Sequence, residues 1–239
     1  MIQIVHVTKK FGAFAAISDL TIEVKAGEFY GFLGPNGAGK TTTIKLAAGL
    51  YAPTSGSIFI GGFNIQTRAL EAKVRTGYIP DQPFLYEKLT GREFLYLSAG
   101  LYGMNYSRIP AVIGEVTDEL EIGSWIDKRA EDYSQGMRQR IVIASALLHG
   151  PGALIIDEPM VGLDPRSAHI VKQILKRKSK EGVAVFMSTH SLSVAEELCD
   201  RIGIIKDGRL VFEDTIGALE NFKHRFDGKF ESVFLELTK

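Results

Sequence analysis

The sequence predicts an α/β fold: a core with a mostly parallel sheet, an antiparallel β-subdomain near the N-terminus and an inserted helical subdomain. Three observations support this prediction. An apolar strand, a glycine-rich loop and a helix follow one another between residues 27 and 50. Apolar strands at 153–158 and 183–187 are each followed by a helical segment. From about 89 to 148 the pattern is helical, and strand signals largely vanish.

The individual elements follow from hydrophobic periodicity and turn residues. In the first third of the chain, strands are predicted at 2–7, 20–24, 27–33, 57–60 and 76–80, and a helix at 42–50. In the last third, Asp164-Pro165 marks the start of a helix that runs to residue 180, because aspartate caps helices and proline suits their first turn. A hairpin is predicted from 201–205 and 209–213, and a last strand near 230–237.

We interpret the 239 residues as a single domain with an inserted subdomain. The core would consist of residues 1–80 and 150–221, the helical subdomain of about 84–148, and a C-terminal extension of 222–239. Lysine plus arginine equal aspartate plus glutamate at 28 each, so the basic balance that drives binding to nucleic acid is absent. A single cysteine, Cys199, excludes an intrachain disulfide, and its helical surroundings predict a buried side chain.

The sequence predicts neither a signal peptide nor a membrane span. The N-terminus has no basic region followed by an apolar core. The longest apolar region, residues 141–156, is broken by His149-Gly150-Pro151-Gly152, whereas spanning a bilayer takes about 20 apolar residues. We therefore expect that this chain does not cross a membrane by itself.

Residues 34–41 match G-x-x-x-x-G-K-[ST], the pattern of a phosphate-binding loop, between a predicted strand and a predicted helix. Glycines let the backbone approach a triphosphate and direct N–H groups at it. Lys40 would reach the β- and γ-phosphates, and the Thr41 hydroxyl would ligate Mg²⁺. The alternative, a glycine-rich turn that matches by accident, is disfavoured by this context. The predicted nucleotide-binding residues here are Gly34, Pro35, Asn36, Gly37, Ala38, Gly39, Lys40, Thr41 and Thr42.

Two carboxylates, Asp157 and Glu158, end an apolar strand. Open α/β sheets bind ligands at the carboxyl ends of their strands. Asp157 is suited to hold Mg²⁺ directly or through water. Glu158 could orient or deprotonate a water that attacks the γ-phosphate. A strand end that simply becomes polar is the alternative, and the preceding phosphate loop argues against it.

Two further segments have open interpretations. Ser134 is a natural helix N-cap, and Gly136 exposes backbone N–H groups behind it. The segment is therefore a second anion site or an ordinary capped helix, and the residues alone favour the latter. Phe11, beside a glycine and ahead of the phosphate loop, either stacks on a purine or packs against the protein.

Taken together, these segments resemble the ATP-binding-cassette (ABC) ATPases in order and spacing. The resemblance covers nearly the whole chain and implies a P-loop NTPase core, a helical subdomain inserted before the serine-led signature motif, and hydrolysis of ATP with Mg²⁺ as cofactor. It is carried by residues 34–42, Ser134-Gln135-Gly136-Met137-Arg138-Gln139-Arg140, residues 154–159, Gly162-Leu163-Asp164 and Ser188-Thr189-His190.

In this family two cassettes pair head to tail and hold two ATP molecules between them. The resemblance implies that Ser134 and Gly136 contact the γ-phosphate of the nucleotide held by the partner subunit. Asp164 would lie in a loop that communicates across the dimer, and Phe11 would stack on adenine. The implied catalytic residues are Lys40, Glu158 and His190.

The chain departs from the family pattern at two places. The signature reads Tyr133-Ser134-Gln135-Gly136-Met137, where the family usually has Leu-Ser-Gly-Gly-Gln, and it keeps the serine and the second glycine. The glutamine that normally contacts Mg²⁺ falls at Asp81, or one position later at Gln82. Asp81 could ligate the metal, but we expect Gln82 to do so, because its amide can donate and accept.

The resemblance to single-domain exporter subunits implies a cytoplasmic ATPase, peripheral on the inner face of the cell membrane. Its partners would be a separate transmembrane permease and a second ABC ATPase subunit, identical or different, with no nucleic acid. An aromatic stretch over residues 84–102 is either core or the surface that docks on the permease. The rival functions are a soluble ABC ATPase acting on ribosomes or nucleic acid, and a clamp that binds ATP without hydrolysing it.

Overall fold

The structure is a computed structural model, and it describes residues 1–218, 230 and 234–236. In this part of the chain the strands are β1 (Ile2–Phe11), β2 (Phe14–Val24), β3 (Phe29–Leu33), β4 (Ser55–Ile60), β5 (Phe63–Asn64), β6 (Thr76–Ile79), β7 (Ala153–Asp157), β8 (Ala184–Ser188), β9 (Arg201–Lys206) and β10 (Arg209–Thr215). The α-helices of the same part are α1 (Lys40–Ala47), α2 (Ala69–Lys73), α3 (Gly91–Leu101), α4 (Ile109–Glu119), α5 (Gln135–Leu147), α6 (Pro165–Lys180) and α7 (Leu192–Leu198), with a 3₁₀ turn at Ala130–Asp132.

A six-stranded sheet in the order β10-β9-β3-β8-β7-β6 forms the centre of the fold. Five of its strands run parallel, and β10 adds the antiparallel hairpin partner of β9. Every residue of β3, β7 and β8 is buried, so these strands read as continuous apolar runs. Because Asp157 pairs with Ser188 in register, the carboxyl ends of β7 and β8 meet at one edge of the sheet.

The second sheet is antiparallel and four-stranded, in the order β2-β1-β4-β5. It confirms the predicted N-terminal β-subdomain, although β1 and β2 extend to Phe11 and Phe14, well beyond the predicted strands. The extension depends on cross-strand pairing, which continues through register shifts to the pair Phe11–Phe14. The register shifts interrupt the alternation of buried and exposed residues along β1, which is why the prediction stopped early.

Two apolar clusters hold these layers together. One lies between the two sheets and includes Ile4 of β1, Phe32 of β3 and Ile44 of α1. The other covers the opposite face of the parallel sheet and joins it to the helices, with Leu95 of α3 and Ile141 of α5 among its members. The sheet is thus covered on both faces, as a parallel sheet requires.

The helical pattern predicted between residues 89 and 148 corresponds to helices α3, α4 and α5. Thr90 and Glu93 form a capping box at the start of α3, in which each side chain bonds the backbone of the other. Ser134 caps α5 by accepting a hydrogen bond from Met137 N. The division of the chain into a core of 1–80 and 150–221 and a subdomain of 84–148 stays a prediction. No helix in the described residues is long and apolar enough to span a bilayer.

The predicted last strand near 230–237 is wrong for the residues that the structure describes there. Phe230 and residues 234–236 are helical. Phe230 is buried in the larger apolar cluster, and Phe234 packs against the same cluster. Their spacing of four residues suits one face of a helix, and the mixed charges around them concealed that period. The other residues of 222–239 lie outside the described part.

Candidate nucleotide-binding site

The phosphate loop follows β3 directly and is shaped by close backbone contacts. A Cβ added at Gly34 would lie 2.4 Å from the Ile205 carbonyl oxygen, so the loop presses against β9 where only glycine fits. Gly39 has a φ of 113° and provides the N-cap position of α1. An added Cβ there would also lie 2.6 Å from Ile17 Cδ1. The loop therefore leads into a helix start whose N–H groups face outwards, which is the arrangement that binds anions.

Lys40 is the first residue of α1 and its side chain lies inside the loop. Its Nζ donates hydrogen bonds to the carbonyl oxygens of Gly34 at 2.7 Å and Pro35 at 3.1 Å. Burial lowers the pKa of the ammonium, and the carboxylates of Glu158 and Asp157 act in the opposite direction. The charge is therefore placed beside two acidic groups and within a short reach of any anion in the loop.

Asp157 is fully buried at the end of β7. Ser188 donates a short hydrogen bond to its Oδ1, while its Oδ2 has no hydrogen-bond partner in the described part of the chain. Burial raises the pKa of this carboxyl, the hydroxyls of Ser188 and Thr41 oppose the rise, and the charges of Asp81 and Glu158 add to it. A buried carboxylate oxygen without a partner, next to a threonine hydroxyl, fits the oxygen ligands that Mg²⁺ prefers.

Glu158 and His190 form an ion-pair contact at the same edge of the sheet. His190 Nδ1 lies 2.9 Å from Glu158 Oε2. Glu158 has a φ of 47°, and its N–H donates to the Ser188 carbonyl at 3.2 Å. A positive φ in a non-glycine residue is a costly conformation that points to function. Here it turns the carboxylate out of the sheet while the backbone remains bonded to β8.

The predicted residues of the loop and of the carboxyl ends converge on one cleft of about 340 Å³. Its walls bring the loop together with Glu158 and His190, and they include two residues that the sequence interpretation missed, Phe14 and Ala16. The other lining residues are Asn36, Gly37, Gly39, Lys40, Thr41 and Thr42. Gly34, Pro35 and Ala38 form the loop behind this surface, where Gly34 and Pro35 bind Lys40 and Ala38 is buried.

Phe11 lies outside this cleft lining, although it is part of the same hairpin as Phe14. Its ring meets Tyr51 edge-on at 5.7 Å between centroids, and Lys9 Nζ lies 4.9 Å from its centre. Phe11 is 45% and Phe14 66% exposed, and the two are paired at the end of the hairpin. An exposed aromatic residue in a turn next to the phosphate loop was the signal that could have identified Phe14.

The structure favours Asp81 over Gln82 at the position of the family's metal-linked glutamine. Asp81 is partly buried, and its charge raises the pKa of Asp157. Gln82 is exposed, and neither of the two residues lines the cleft. Ile79 pairs with Ile156 in the parallel ladder, so Asp81 and Glu158, each two residues beyond this pair, lie at corresponding positions. Strand geometry thus places the aspartate on the side of the carboxylates.

Ser134 and Gly136 do not line the cleft of their own protomer. Ser134 Oγ accepts from Met137 N at 3.3 Å and the serine is exposed, while Gly136 is buried behind it. The start of α5 is thus an exposed, capped helix terminus away from the phosphate loop. Its contact with a nucleotide, as implied by the resemblance, requires a second protomer.

The site has a glycine-rich loop between a parallel strand and a helix, and a buried lysine and strand-end carboxylates lie beside the loop. This combination defines a P-loop nucleoside triphosphatase. The sequence profile of the ABC transporter family matches residues 17–161. The chain belongs to this family.

Curated relatives match over most of the chain. The bacitracin transport ATP-binding protein BcrA of Bacillus licheniformis is 41% identical over 214 residues, which cover 89% of this chain and 69% of that protein. The linearmycin resistance ATP-binding protein LnrL of Bacillus subtilis (strain 168) is 36% identical over 211 residues, covering 88% and 68%. Both relatives are longer than this chain.

Solved structures agree with the fold over the full length. The ATP-binding subunit of an ABC transporter superposes with a TM-score of 0.91 at 31% identity and covers 100% of both chains. The dimeric cassette MJ0796, in a post-hydrolysis state bound to ADP and Pi, superposes with a TM-score of 0.82 at 26% identity, covering 90% of this chain and 99% of that one. The protein is an ATP-binding and ATP-hydrolysing subunit of an ABC transporter.

Proposed function

We propose that two cassettes of this kind, identical or different, close on two MgATP molecules and drive a separate transmembrane permease. The observation that carries the proposal is the convergence of Lys40, Glu158 and His190 on one cleft, with Glu158 and His190 2.9 Å apart. The two cassettes would be arranged so that Ser134 and Gly136 of one protomer close over the cleft of the other. The neighbouring cassette MJ0796 is dimeric, which supports this arrangement.

In the proposed reaction, a water attacks the γ-phosphate in line with the leaving ADP. Glu158 accepts a proton from that water, and His190 holds the carboxylate in position through the contact between Nδ1 and Oε2. Lys40 leaves its carbonyl partners and binds the β- and γ-phosphate oxygens, where its charge stabilises the transition state. The exposed N–H groups of the loop bind the other oxygens.

Thr41 and Asp157 would hold Mg²⁺. The third protein ligand would be Asp81, and Gln82 is a less favourable candidate for that position. Thr41 and Asp157 lie side by side, and the unpartnered Oδ2 of Asp157 is available to a metal or to its bound water. When bound, the metal neutralises charge on the phosphate oxygens. Phe11 is the proposed adenine contact because it matches the family's adenine-stacking aromatic residue. Phe14 is the alternative because it lines the cleft.

The permease partner would dock on an apolar surface formed by α1, α2, α3 and the loop before α3, which we define as Leu50, Leu70, Val74, Phe84 and Leu101. Four of these residues line a groove of about 440 Å³ beside Tyr102, and Phe84 is 70% exposed on the loop before α3. Large exposed apolar patches indicate contact with another protein. The location would be cytoplasmic, peripheral on the membrane. Similarity to the Nod factor export ATP-binding protein I of Burkholderia orbicola (strain AU 1054) favours export.

The competing function on ribosomes or nucleic acid is distinguished by what copurifies with the chain. If the permease is its partner, the chain should copurify with membrane vesicles. If it acts on ribosomes or nucleic acid, it should copurify with RNA or DNA. The balanced charge supports the first outcome, since nucleic acid binding depends on basic groups.

The test of the proposed mechanism is Glu158→Gln. We expect ATP turnover to fall at least about 100-fold, because the amide cannot accept the proton. ATP binding would persist, and ATP would convert the variant from monomer to dimer in size-exclusion chromatography. Glu115→Gln, at an exposed carboxylate of α4, is the matched control and should hydrolyse ATP normally. Unchanged turnover in Glu158→Gln would remove Glu158 from the catalytic role.

A further inference from the structure

We propose that Gln135 is a positioning residue that joins the Ser134–Gly136 turn to the loop over residues 158–164 of the same protomer. It would make the two nucleotide sites of the dimer respond to each other. The inference rests on the proposed function, since it requires that Ser134 and Gly136 meet the partner's nucleotide. Gln135 stands where the family usually has glycine, so the contact depends on a side chain particular to this sequence.

The contact is made by the aliphatic stem of Gln135 over the backbone of Gly162. A Cβ added at Gly162 would lie 2.8 Å from Gln135 Cγ and 3.9 Å from its Cδ. Gly162 also has a φ of 76°, so glycine is required there by backbone conformation as well as by space. The stem therefore lies directly on the loop, where an alanine at 162 would displace it.

A second contact lies one residue further along. A Cβ added at Gly136 would lie 3.6 Å from both Leu163 Cδ2 and Asp164 Oδ2. Asp164 caps α6, accepting from Ser167 N at 3.0 Å and from Ser167 Oγ at 2.5 Å. The starts of α5 and α6, each fixed by its own cap, thus lie so close that a single added methyl group at residue 136 would bridge them.

The loop between β7 and α6 links this contact to the proposed catalytic carboxylate. Val161 N donates to the Glu158 carbonyl at 3.3 Å, and Leu163 N donates to the Met160 carbonyl at 3.4 Å. Both hydrogen bonds are long, and Val161 is exposed, so the loop depends on its packing for position. A shift of Gly162 therefore moves the backbone that carries Glu158.

The chain of contacts runs from one nucleotide to the other. In the proposed dimer, Ser134 and Gly136 shift when they bind the γ-phosphate at the partner's site. Gln135 moves with them, and its stem displaces the backbone of Gly162. The loop then adjusts Glu158 at the protomer's own nucleotide. Couplings between ligand sites commonly change affinity by about 5- to 150-fold, and a single packed side chain is expected to give the lower end of that range.

The experiment compares Gln135→Ala, which removes Cγ and Cδ, with Gln135→Met, which keeps a stem of similar length without the amide. We expect Gln135→Ala to lower the Hill coefficient for ATP hydrolysis from about 2 towards 1, and to weaken ATP-driven dimerisation about fivefold in the Glu158→Gln background. Gln135→Met should restore both. Gln66→Ala, at an exposed glutamine before α2, is the matched control and should change neither.

The thermal unfolding temperature separates coupling from folding. Alanine is a good helix former at the start of α5, so Gln135→Ala should unfold at the same temperature as the parent chain. An unchanged Hill coefficient and dimer affinity in Gln135→Ala would overturn the inference alone. Failure of Gln135→Met to restore them would also overturn it, since the stem would then not be the coupling group. Absence of any ATP-driven dimer with Gln135 intact would overturn the proposed function with it.

Discussion

At the scale of single residues, Asp157 shows how a functional group is kept at a cost in stability. Its carboxyl is fully buried, and burial raises its pKa above the value of a solvated aspartate. The charged form is thus disfavoured in the folded state, and the protein loses stability as the pH rises through the raised pKa. An asparagine at this position would avoid the cost, whereas the proposed role of Asp157 in holding Mg²⁺ requires the negative charge.

Asp157→Asn should therefore stabilise the nucleotide-free protein. At neutral pH we expect the unfolding temperature to rise by about 2 to 4 °C, since the buried charge is removed and the amide oxygen can still accept from Ser188. Below about pH 3 the difference should vanish, because the parent carboxyl is then largely protonated in both the folded and the unfolded state.

The same variant should lose the stabilisation that MgATP gives to the parent chain. Differential scanning fluorimetry with and without MgATP measures both effects, and Asp118→Asn, at an exposed carboxylate of α4, is the matched control. An unfolding temperature that falls at neutral pH in Asp157→Asn would show that the buried charge stabilises the fold, contrary to this account.

At the scale of secondary-structure elements, the β1–β2 hairpin presents two aromatic residues near the cleft. Phe11 and Phe14 are paired at its end, yet only Phe14 lines the cleft. The ring of Phe11 is held by Tyr51 and Lys9. The family's adenine contact corresponds to Phe11, whereas the geometry of a single protomer favours Phe14, so the two assignments make different predictions for matched variants.

Phe11→Ala and Phe14→Ala distinguish the two. Stacking on a base is worth about 1–3 kcal/mol, so loss of the stacked ring should raise the KM for ATP about tenfold and leave kcat nearly unchanged. We expect this effect in Phe11→Ala and a smaller one in Phe14→Ala. Steady-state ATPase kinetics measure both. A tenfold rise confined to Phe14→Ala would assign the adenine contact to Phe14.

The elements also show which features can be predicted from the sequence. The start of α6 was predicted at Asp164-Pro165, and the helix begins there because cap and proline act within one turn. The phosphate loop is equally local, since eight successive residues carry its pattern. The parallel sheet followed from apolar strands that alternate with helices.

Features that depend on distant residues were harder to predict. Phe14 reaches the cleft through strand pairing that continues past a register shift. The choice between Asp81 and Gln82 depends on how β6 lies beside β7. The packing of Gln135, the first residue of α5, on Gly162 in the loop before α6 leaves no periodic pattern in the sequence. In the last two cases the decisive neighbour lies far away along the chain, and for Phe14 the register shifts of the hairpin interrupt the local period.

At the scale of the whole molecule, the nucleotide-binding cleft and the groove proposed to contact the permease lie on different surfaces. The cleft opens at the carboxyl edge of the parallel sheet, whereas the apolar groove lies between α1, α2 and α3. Leu101 is 82% and Leu70 73% exposed on the rim of that groove, with Lys73 as its charged lining residue. Such exposure costs free energy in water unless another apolar surface covers it.

The double variant Leu70→Glu/Leu101→Glu should separate membrane association from catalysis. Both side chains are exposed, so the charges should leave the unfolding temperature and ATP hydrolysis in solution unchanged. Central apolar contacts of an interface are worth about 2 kcal/mol or more each, so the share of the chain recovered with membrane vesicles of its own cells should fall at least tenfold. Val211→Glu, an exposed apolar residue on β10, is the matched control. If the double variant sediments with membranes as the control does, the groove is not the surface that docks on the permease.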